Sequence, residues 1–328
     1  MKTRFLKKKE ISKFLKIVKL NYKKNHVLGR SKKIISFYYN FRNKKKLSLI
    51  GQFENKNLLS VLGVIPYKNW DDSLDKDYFI AFWVKQKGGV VNSLPLINFI
   101  FNKIKPNFLA STGINLQTSG KVFKKFNDIH IFENYFIKNE IFKEKISKNL
   151  KNKIDNKNKK QLDLIVSNKL IKSFNIMSND RPRKSMKYFD NKYLKNPFYK
   201  YLVFNFFEKK NLKFFFICRE IKLEKFNTKI IRIVDFFGNF KKNYSVYKAI
   251  KNYLKKGKYE YIDFLSTGIG DKLKNIGFTK KNKNHFIPDL FEPYLSKQIE
   301  NNYCILKSNY KKNILVKGDG DLDRPNLV

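Results

Sequence analysis

The chain has 328 residues, of which 42% are apolar and 16% aromatic, and its formal net charge is +44. This composition is ample for two hydrophobic cores and argues against an intrinsically disordered chain. The charge comes from 63 Lys and only 8 Arg. Because Lys is the strongly solvated cation and Arg the usual reader of phosphates and bases, we expect non-specific attraction to polyanions rather than sequence-specific nucleic-acid recognition.

Cysteine and histidine usage argues against a disulfide framework and against a metal site. Cys218 and Cys304 lie far apart, and none of the three histidines has a second His or Cys at i+3 or i+4. Lysines interrupt the apolar residues at the N-terminus, unlike a signal peptide, and no apolar run approaches the ~20 residues of a membrane span. We therefore expect a cytoplasmic protein with no metal.

The first elements are predicted to be a helix and a strand hairpin. Apolar residues recur at helical spacing in residues 11–18, and an aromatic patch follows at residues 37–41. Residues 47–53 and 58–65 have the composition of strands, and the polar residues between them form a turn.

An apolar strand, a glycine turn and an amphipathic helix come next. The strand is predicted at residues 78–84, the turn at 86–91 and the helix at 92–104, where Pro106 ends it. Glycine lets a backbone approach an anion closely, and the first N–H groups of a helix have no partners inside it. The turn therefore predicts a phosphate site, with an ordinary strand-to-helix turn as the alternative.

A shorter strand and a second helix complete this part of the chain. They are predicted at residues 108–111 and 118–126, and a last strand at 129–137. Residues 138–160 are mostly Lys, Asn, Glu and Asp, which predicts a solvated linker.

The second half repeats this order of elements. Strands are predicted at residues 201–207, 214–219, 229–236, 259–264 and near 285–287, and helices at residues 245–254 and 271–276. In the fourth of these strands, period-2 alternation sends Glu260, Ile262 and Phe264 to one face, and Tyr261 and Asp263 to the other. The C-terminal tail concentrates three acids in a basic protein, and it either folds back on the body or is disordered.

Residues 78–128 resemble the core of the GNAT acyltransferases. In that family a Gln/Arg-x-x-Gly-x-Gly/Ala turn holds the pyrophosphate of acyl-coenzyme A. Gln86 and Gly89 match its first and fourth positions, and Val91 stands where the family has Gly or Ala. Asn115 and the helix after it are similar to the second family motif, with Phe123 in place of a Tyr that protonates the leaving thiolate.

The repetition of this pattern is similar to the tandem FemAB-like transferases. It implies an α/β (α+β) fold of two GNAT-like domains, each a mixed, mostly antiparallel sheet flanked by helices. We expect an acyl-CoA-binding domain at residues 1–138, a linker at 139–161, a second, degenerate domain at 162–312 and an acidic tail at 313–328. Segments such as residues 61–66 and the tail are also similar to proteins of bacterial surface-polysaccharide clusters.

The resemblance also implies site residues. Cofactor-binding candidates are Phe82, Trp83, Val84, Gln86, Gly88, Gly89, Val90, Val91 and Asn92. Catalytic candidates are Asn115 and Asp77, with Asp71, Asp72 or a water chain as other proton acceptors. Substrate-binding candidates are His26, Arg30, Asp235, Glu260 and Asp263. Each has a structural alternative, since Asn caps helices and buried acids pair with lysines.

These implications give one leading function and two alternatives. The leading one is an N-acyltransferase that moves an acetyl or similar acyl group from acyl-CoA to a small-molecule amine. The expected acceptor is an amino sugar, or a nucleotide-linked one, in surface-polysaccharide biosynthesis. The alternatives are a FemAB-like transferase that uses aminoacyl-tRNA, and a catalytically inactive GNAT-like scaffold.

Overall fold

The computed structural model describes residues 1–21, 26–41, 45–87, 94–125, 128–153, 158–171, 182–289, 302–308 and 313–320. The chain forms two compact units. The first comprises Met1–His130, Tyr303–Lys311 and Gly320–Val328, and the second comprises Ile131–Asn302 and Lys312–Asp319.

Strands and helices are both distributed along the whole described chain. Up to residue 131 they are β1 (Lys2–Lys7), α1 (Ile11–Asn21), α2 (Val27–Arg30), α3 (Lys32–Tyr39), β2 (Lys46–Glu54), β3 (Asn57–Pro66), β4 (Asp77–Lys85), α4 (Leu94–Phe99), β5 (Phe108–Thr112), α5 (Ser119–Phe123) and β6 (Asp128–Ile131). Those that follow are β7 (Glu133–Lys138), β8 (Lys160–Gln161), β9 (Asp163–Ser167), α6 (Met186–Phe189), β10 (Leu202–Glu208), β11 (Asn211–Leu223), β12 (Thr228–Gly238), β13 (Tyr244–Ser245), α7 (Tyr247–Gly257), β14 (Tyr261–Thr267), α8 (Gly270–Asn275), β15 (Thr279–Lys280), β16 (Tyr303–Ser308) and β17 (Leu315–Val316).

The first unit is built on a seven-stranded sheet in the order β1-β2-β3-β4-β5-β16-β6. Strands β4 and β5 run parallel, whereas the pairs β1–β2, β2–β3, β3–β4 and β5–β16 are antiparallel. β3 is buried along nearly its whole length, as its run of Val, Leu and Ile predicts for a central strand. Helix α4 continues as a π-helical turn to Ile104, and Lys105 ends it in a left-handed conformation (φ 51°).

The second unit has an eight-stranded sheet whose main path is β15-β7-β14-β12-β11-β10-β9, with β17 added on β14. β12 and β14 are parallel, and most other neighbours are antiparallel. Helix α7 buries Tyr247, Ile250 and Leu254 at helical spacing against this sheet. Phenylalanines of β10 and β11 fill much of the same core.

The predicted α+β class, with two mostly antiparallel sheets flanked by helices, is confirmed. The chain divides differently from the expected boundaries, however. β7, expected to close the first half, lies in the second unit between β14 and β15, and β16 takes the inner place between β5 and β6. An alternating strand pattern shows which face is buried but not which sheet the strand joins, so this path was not predictable from local sequence.

Two further expectations are corrected in the second unit. The described residues 139–153 of the expected linker pack on this unit, where buried Asn139 donates from Nδ2 to the Tyr259 carbonyl oxygen at 2.8 Å. The closing strand is Thr279–Lys280 rather than residues 285–287, of which Phe286 makes only an isolated bridge to Lys148. No helix in the described ranges is long and apolar enough to cross a membrane.

Candidate functional site

The parallel strands of the first unit pair briefly and then separate. Their register runs from Asp77 opposite Phe108 to Ile80 opposite Ser111. The Ser111 hydroxyl donates to the Ile80 carbonyl oxygen at 2.7 Å and so fixes the last rung. β4 continues to Lys85, whereas β5 ends at Thr112, so a gap opens beside the second half of β4. We refer to it below as the β4–β5 gap.

A β-bulge lies where this gap begins. Val64 on β3 faces Ile80, but Gly63 faces Phe82, which leaves Ala81 as an extra residue on β4. The bulge shifts the alternation, so Ile80 and Trp83 both pack in the core that contains α4 and α5. Phe82 points to the other face, where its ring centroid lies 5.4 Å from that of Phe14.

The bulge also determines where the backbone of β4 points. The Gln86 N–H donates to the Leu59 carbonyl oxygen at 2.9 Å, which makes these residues a hydrogen-bonded antiparallel pair. Because such pairs alternate along a ladder, the backbone groups of Phe82 and Val84 face β3 as well. Those of Trp83 face the opposite edge, on the side of the β4–β5 gap. Because the strand fixes its direction, the Trp83 N–H can donate a hydrogen bond to a carbonyl oxygen in the gap.

The predicted phosphate turn comes directly after this strand. Gly88, Gly89, Val90, Val91 and Asn92 lie outside the described residues, so their role stays a prediction. Before them, Gln86 is exposed and the Lys87 N–H donates to Asn21 Oδ1 at 2.8 Å. After them, α4 begins at Leu94. The chain thus passes from strand to helix across this segment.

The catalytic candidates occupy structural positions. Asn115 Oδ1 accepts from the Gln117 N–H and its carbonyl oxygen from the Gly120 N–H, each at 2.8 Å, so Asn115 shapes the turn before α5. Asp77 is buried at the first rung of the β4–β5 pairing, about 10 Å along the strand from Ile80. Asp71 Oδ1 accepts from the Ser73 hydroxyl at 2.7 Å. The structure does not bring these acids to the gap.

Phe123, expected in the place of a catalytic tyrosine, is a core residue. Its ring packs edge-on against Trp83, with centroids 6.0 Å apart, and it is almost fully buried. It has no hydroxyl, so it cannot donate a proton to a leaving group.

Two other candidates lie at a short helix of the first unit. His26 caps the N-terminus of α2, where its Nδ1 accepts from the Leu28 N–H at 3.3 Å. Arg30 is exposed at the other end of that helix. His26 therefore has a structural role as a helix cap, whereas the side chain of Arg30 is accessible to solvent.

The three acids of the second unit are fully buried and hydrogen-bonded. Glu260 Oε1 accepts from the Ser147 hydroxyl at 2.6 Å. Asp263 Oδ1 accepts from Arg232 Nε at 2.9 Å, and Asp235 accepts from Lys184 Nζ at 2.9 Å. Burial raises the pKa of Asp235, an effect that the Lys184 ammonium opposes. These contacts favour the structural alternative for each acid.

Sequence reasoning missed the residues that define the gap. Ala81 and Ser111 carried no signal, because a bulge depends on the register of two strands and Ser111 resembles any polar residue at the end of an apolar run. Lys184, the partner of Asp235, was hidden among 63 lysines. Among the described residues, no group of three or more His, Cys, Asp or Glu is placed to hold a metal.

Solved structures of other proteins resemble this fold, whereas no sequence match was found. No protein-family description and no curated protein matches the sequence. A conserved Enterococcus faecalis protein described as a probable N-acyltransferase matches with a TM-score of 0.50 and 10% identity, over 85% of this chain and 69% of that one.

Two further solved structures are similar over most of the chain. A GCN5-related N-acetyltransferase from Anabaena variabilis has a TM-score of 0.49 at 8% identity, covering 93% of this chain and 72% of its own. Saccharomyces cerevisiae N-myristoyltransferase with bound myristoyl-CoA has a TM-score of 0.47 at 13% identity, covering 99% and 85%. The likeness to the probable N-acyltransferase from Enterococcus faecalis is one of fold alone.

Proposed function

We propose that this chain is an N-acyltransferase that moves an acyl group from acyl-CoA to an amine beside the β4–β5 gap of the first unit. The observation that carries the proposal is the bulge at Ala81, which turns the Trp83 backbone toward the gap. An oxyanion develops on the thioester carbonyl during attack by an amine, and a preorganised N–H stabilises it. Holding the thioester and amine together supplies much of the remaining rate enhancement.

The predicted turn of residues 88–92 supplies the second half of the site. Its N–H groups would bind the pyrophosphate of acetyl-CoA or another acyl-CoA at the start of α4. The net charge of +44 attracts this polyanionic co-substrate. With the diphosphate at the turn, the thioester arm has the adjoining β4–β5 gap to enter.

Proton transfer is assigned to solvent rather than to the side chains first considered. The attacking amine loses a proton and the departing thiolate gains one, so the reaction needs no net supply of protons. Asn115 is not a base, and Phe123 carries no proton to donate. We therefore assign both transfers to water, because Asp77 is buried at the first rung of the β4–β5 pairing and not at the gap.

For the acceptor we propose an amino sugar, either free or nucleotide-linked. The basic surface supports the nucleotide-linked form, because it attracts a diphosphate. The same charge supports the second candidate, a transferase that takes its group from aminoacyl-tRNA. The third candidate, an inactive scaffold, is favoured by the absence of a hydroxyl at Phe123.

Calorimetric titration with acetyl-CoA tests the cofactor site through a charge-matched pair of variants. Asn92→Asp puts a carboxylate in the predicted turn, and we expect about tenfold weaker binding or more from repulsion of the pyrophosphate. Asn227→Asp adds the same charge at an exposed left-handed turn (φ 45°) of the second unit, a conformation that Asp tolerates. This control should bind like the wild type.

Four outcomes separate the candidates. Absence of any heat with acetyl-CoA and longer acyl-CoAs would end the acyl-CoA proposal. Equal weakening in both variants would mean that general electrostatics, not the turn, binds the co-substrate. Release of free CoA thiol is then followed with amino sugars, nucleotide-linked amino sugars and simple amines. Binding without release would favour the scaffold, and amino-acid transfer from aminoacyl-tRNA without acyl-CoA would favour the tRNA-dependent enzyme.

A further inference from the structure

The second unit contains a strand opening of the same kind. Strands β12 and β14 pair in parallel only from Ile231 opposite Ile262 to Ile233 opposite Phe264. Val234 is an extra residue on β12, because Ile217 faces Asp235 whereas Cys218 faces Ile233. Both strands continue beyond the pairing, to Gly238 and Thr267, so their pairing stops beside a bulge, as that of β4 and β5 stops beside Ala81.

This opening is occupied by the chain itself, through residues 313–319, which we call the strap. Val316 pairs with Ser266 and Leu315 with Thr267, antiparallel to β14. The other edge of β14 carries β7, so the strap continues along the edge that β12 has left. The turn that follows reaches β12, since a Cβ on Gly318 would lie 2.6 Å from the Val234 carbonyl oxygen.

The surroundings of the strap are shaped to admit a backbone. Gly268 on the β14 side has φ +85°, and a Cβ there would lie 2.3 Å from the Asn313 carbonyl oxygen. Ile314 and Val316 are buried in the core of the second unit. The strap therefore contacts its neighbours closely on both sides. The lack of a Cβ at Gly268 and Gly318 lets the two backbones approach, and the side chains of Ile314 and Val316 fill the core.

Buried charges hold the far end of the strap. Lys184 Nζ lies 2.5 Å from Asp319 Oδ1 and also binds Asp235. The other Asp319 oxygen accepts from the Val316 N–H at 2.7 Å, and the Lys192 ammonium donates to the Gly318 carbonyl oxygen. The two carboxylates outweigh the effect of burial and raise the pKa of Lys184, which stays charged. Withdrawal of the strap would leave these charges buried without their partners, at a large cost in free energy.

We infer that the strap is a built-in occupant of the β12–β14 opening, which closes the second unit to acyl-CoA and leaves one acyl-CoA site per chain, at the first unit. In the first unit, no strand of the described residues enters between β4 and β5 beyond the last rung, because β3 pairs with the other edge of β4 and β16 with the other edge of β5. The number of sites rests on the proposed function, whereas the occupation of the opening by the strap does not.

Hydrogen exchange of the full-length protein tests the occupation. In the wild type, the Leu315 and Val316 amides should be as protected as Ile262 in the middle of β14. Asp319→Asn keeps the shape but removes the charge, and should speed exchange at residues 315–316 by about tenfold or more. The control is Asp271→Asn, at an acid whose side chain is 93% exposed.

Each measurement has an outcome that would overturn one part of the inference. Wild-type exchange at residues 315–316 as fast as in an unstructured peptide would overturn the occupation, even if the variant failed to fold. Unchanged exchange in Asp319→Asn would overturn the role of the ion pairs. Titration with acetyl-CoA should give one equivalent per wild-type chain, and two equivalents would overturn the closure. A titration with no binding would sink the proposed function and leave the exchange results standing.

Discussion

Glu260 is a buried carboxylate that stabilises a loop instead of binding a substrate. Its oxygens accept from the Ser147 N–H at 2.8 Å, the Ser147 hydroxyl at 2.6 Å and the Thr228 hydroxyl at 3.0 Å. These donors belong to segments before and beside β14, so one side chain fixes the backbone of the loop near residue 147. The polar composition of this loop predicted a solvated linker. Composition misled because the donors of the loop are bound by a buried acid from a distant part of the sequence.

Glu260→Gln should destabilise the second unit. The amide replaces one acceptor oxygen by an NH2 group that faces donors, which leaves buried groups without partners and costs about 1–3 kcal/mol. Chemical denaturation followed by circular dichroism measures the change. Glu224→Gln, at an exposed glutamate in a nearby turn, should leave the free energy of unfolding within about 0.5 kcal/mol of wild type. A loss of similar size in both variants would contradict the assigned role.

Alternation along a strand is a dependable residue-scale signal where the strand is regular. In β14 it placed Ile262 and Phe264 on one face and Asp263 on the other, and the structure has the first two in the helix-covered core and Asp263 bonded to Arg232. In β4 the same rule fails at Ala81. The extra residue there shifts the alternation, and nothing in the local sequence marks it.

At the scale of elements, the last rung of the β4–β5 pairing controls where the strands part. Ser111→Ala removes the hydrogen bond to the Ile80 carbonyl oxygen, worth about 1 kcal/mol. We expect acetyl-CoA to bind several-fold more weakly because the gap becomes less well ordered, with the fold retained. Titration calorimetry of the folded variant measures this.

The matched control lies two strands away. Ser60 on β3 is also buried, and its hydroxyl has no hydrogen-bond partner within the described residues. Ser60→Ala should therefore leave both acetyl-CoA affinity and stability close to wild type. Equal affinity for Ser111→Ala and Ser60→Ala would mean that the rung does not shape the cofactor site.

Element types were easier to predict than element partners. The order strand, turn, helix and strand from residue 77 to residue 112 followed from apolar runs, glycines and Pro106, and β4, α4 and β5 lie there. β16 was missed because its short run, Tyr303–Ser308, looks like any partly apolar loop until its pairing with β5 is known. The local sequence of a strand does not show which distant strand will pair with it.

At the scale of the whole molecule, each unit takes one inner strand from the other half of the sequence. β7 comes from the end of the first half and lies in the second unit, and β16 comes from near the C-terminus and lies in the first. A cut at residue 138, where the sequence predicted a boundary, would leave the first sheet without the strand between β5 and β6. Domain boundaries read from composition cannot anticipate such an exchange.

A fragment of residues 1–138 should therefore fail to unfold cooperatively. It exposes the inner edges of β5 and β6 and carries β7 with no sheet to join. Thermal unfolding followed by circular dichroism measures this against the full chain. Residues 1–130 joined through a Gly/Ser linker to residues 302–308 restore the missing strand, and should regain a cooperative transition. A sharp transition for residues 1–138 alone would contradict the exchange of strands.

The position of β16 near the C-terminus has a consequence for biosynthesis. A ribosome makes the chain from the N-terminus, and most domains of a growing protein fold as soon as they emerge. Here β5 must wait for a neighbour encoded almost 200 residues later, between Tyr303 and Ser308. Two open strand edges are thus exposed until this segment has been made, at the stage when nascent chains crowd on a polysome. We expect the nascent first half to depend on chaperones until residues 303–308 have been synthesised.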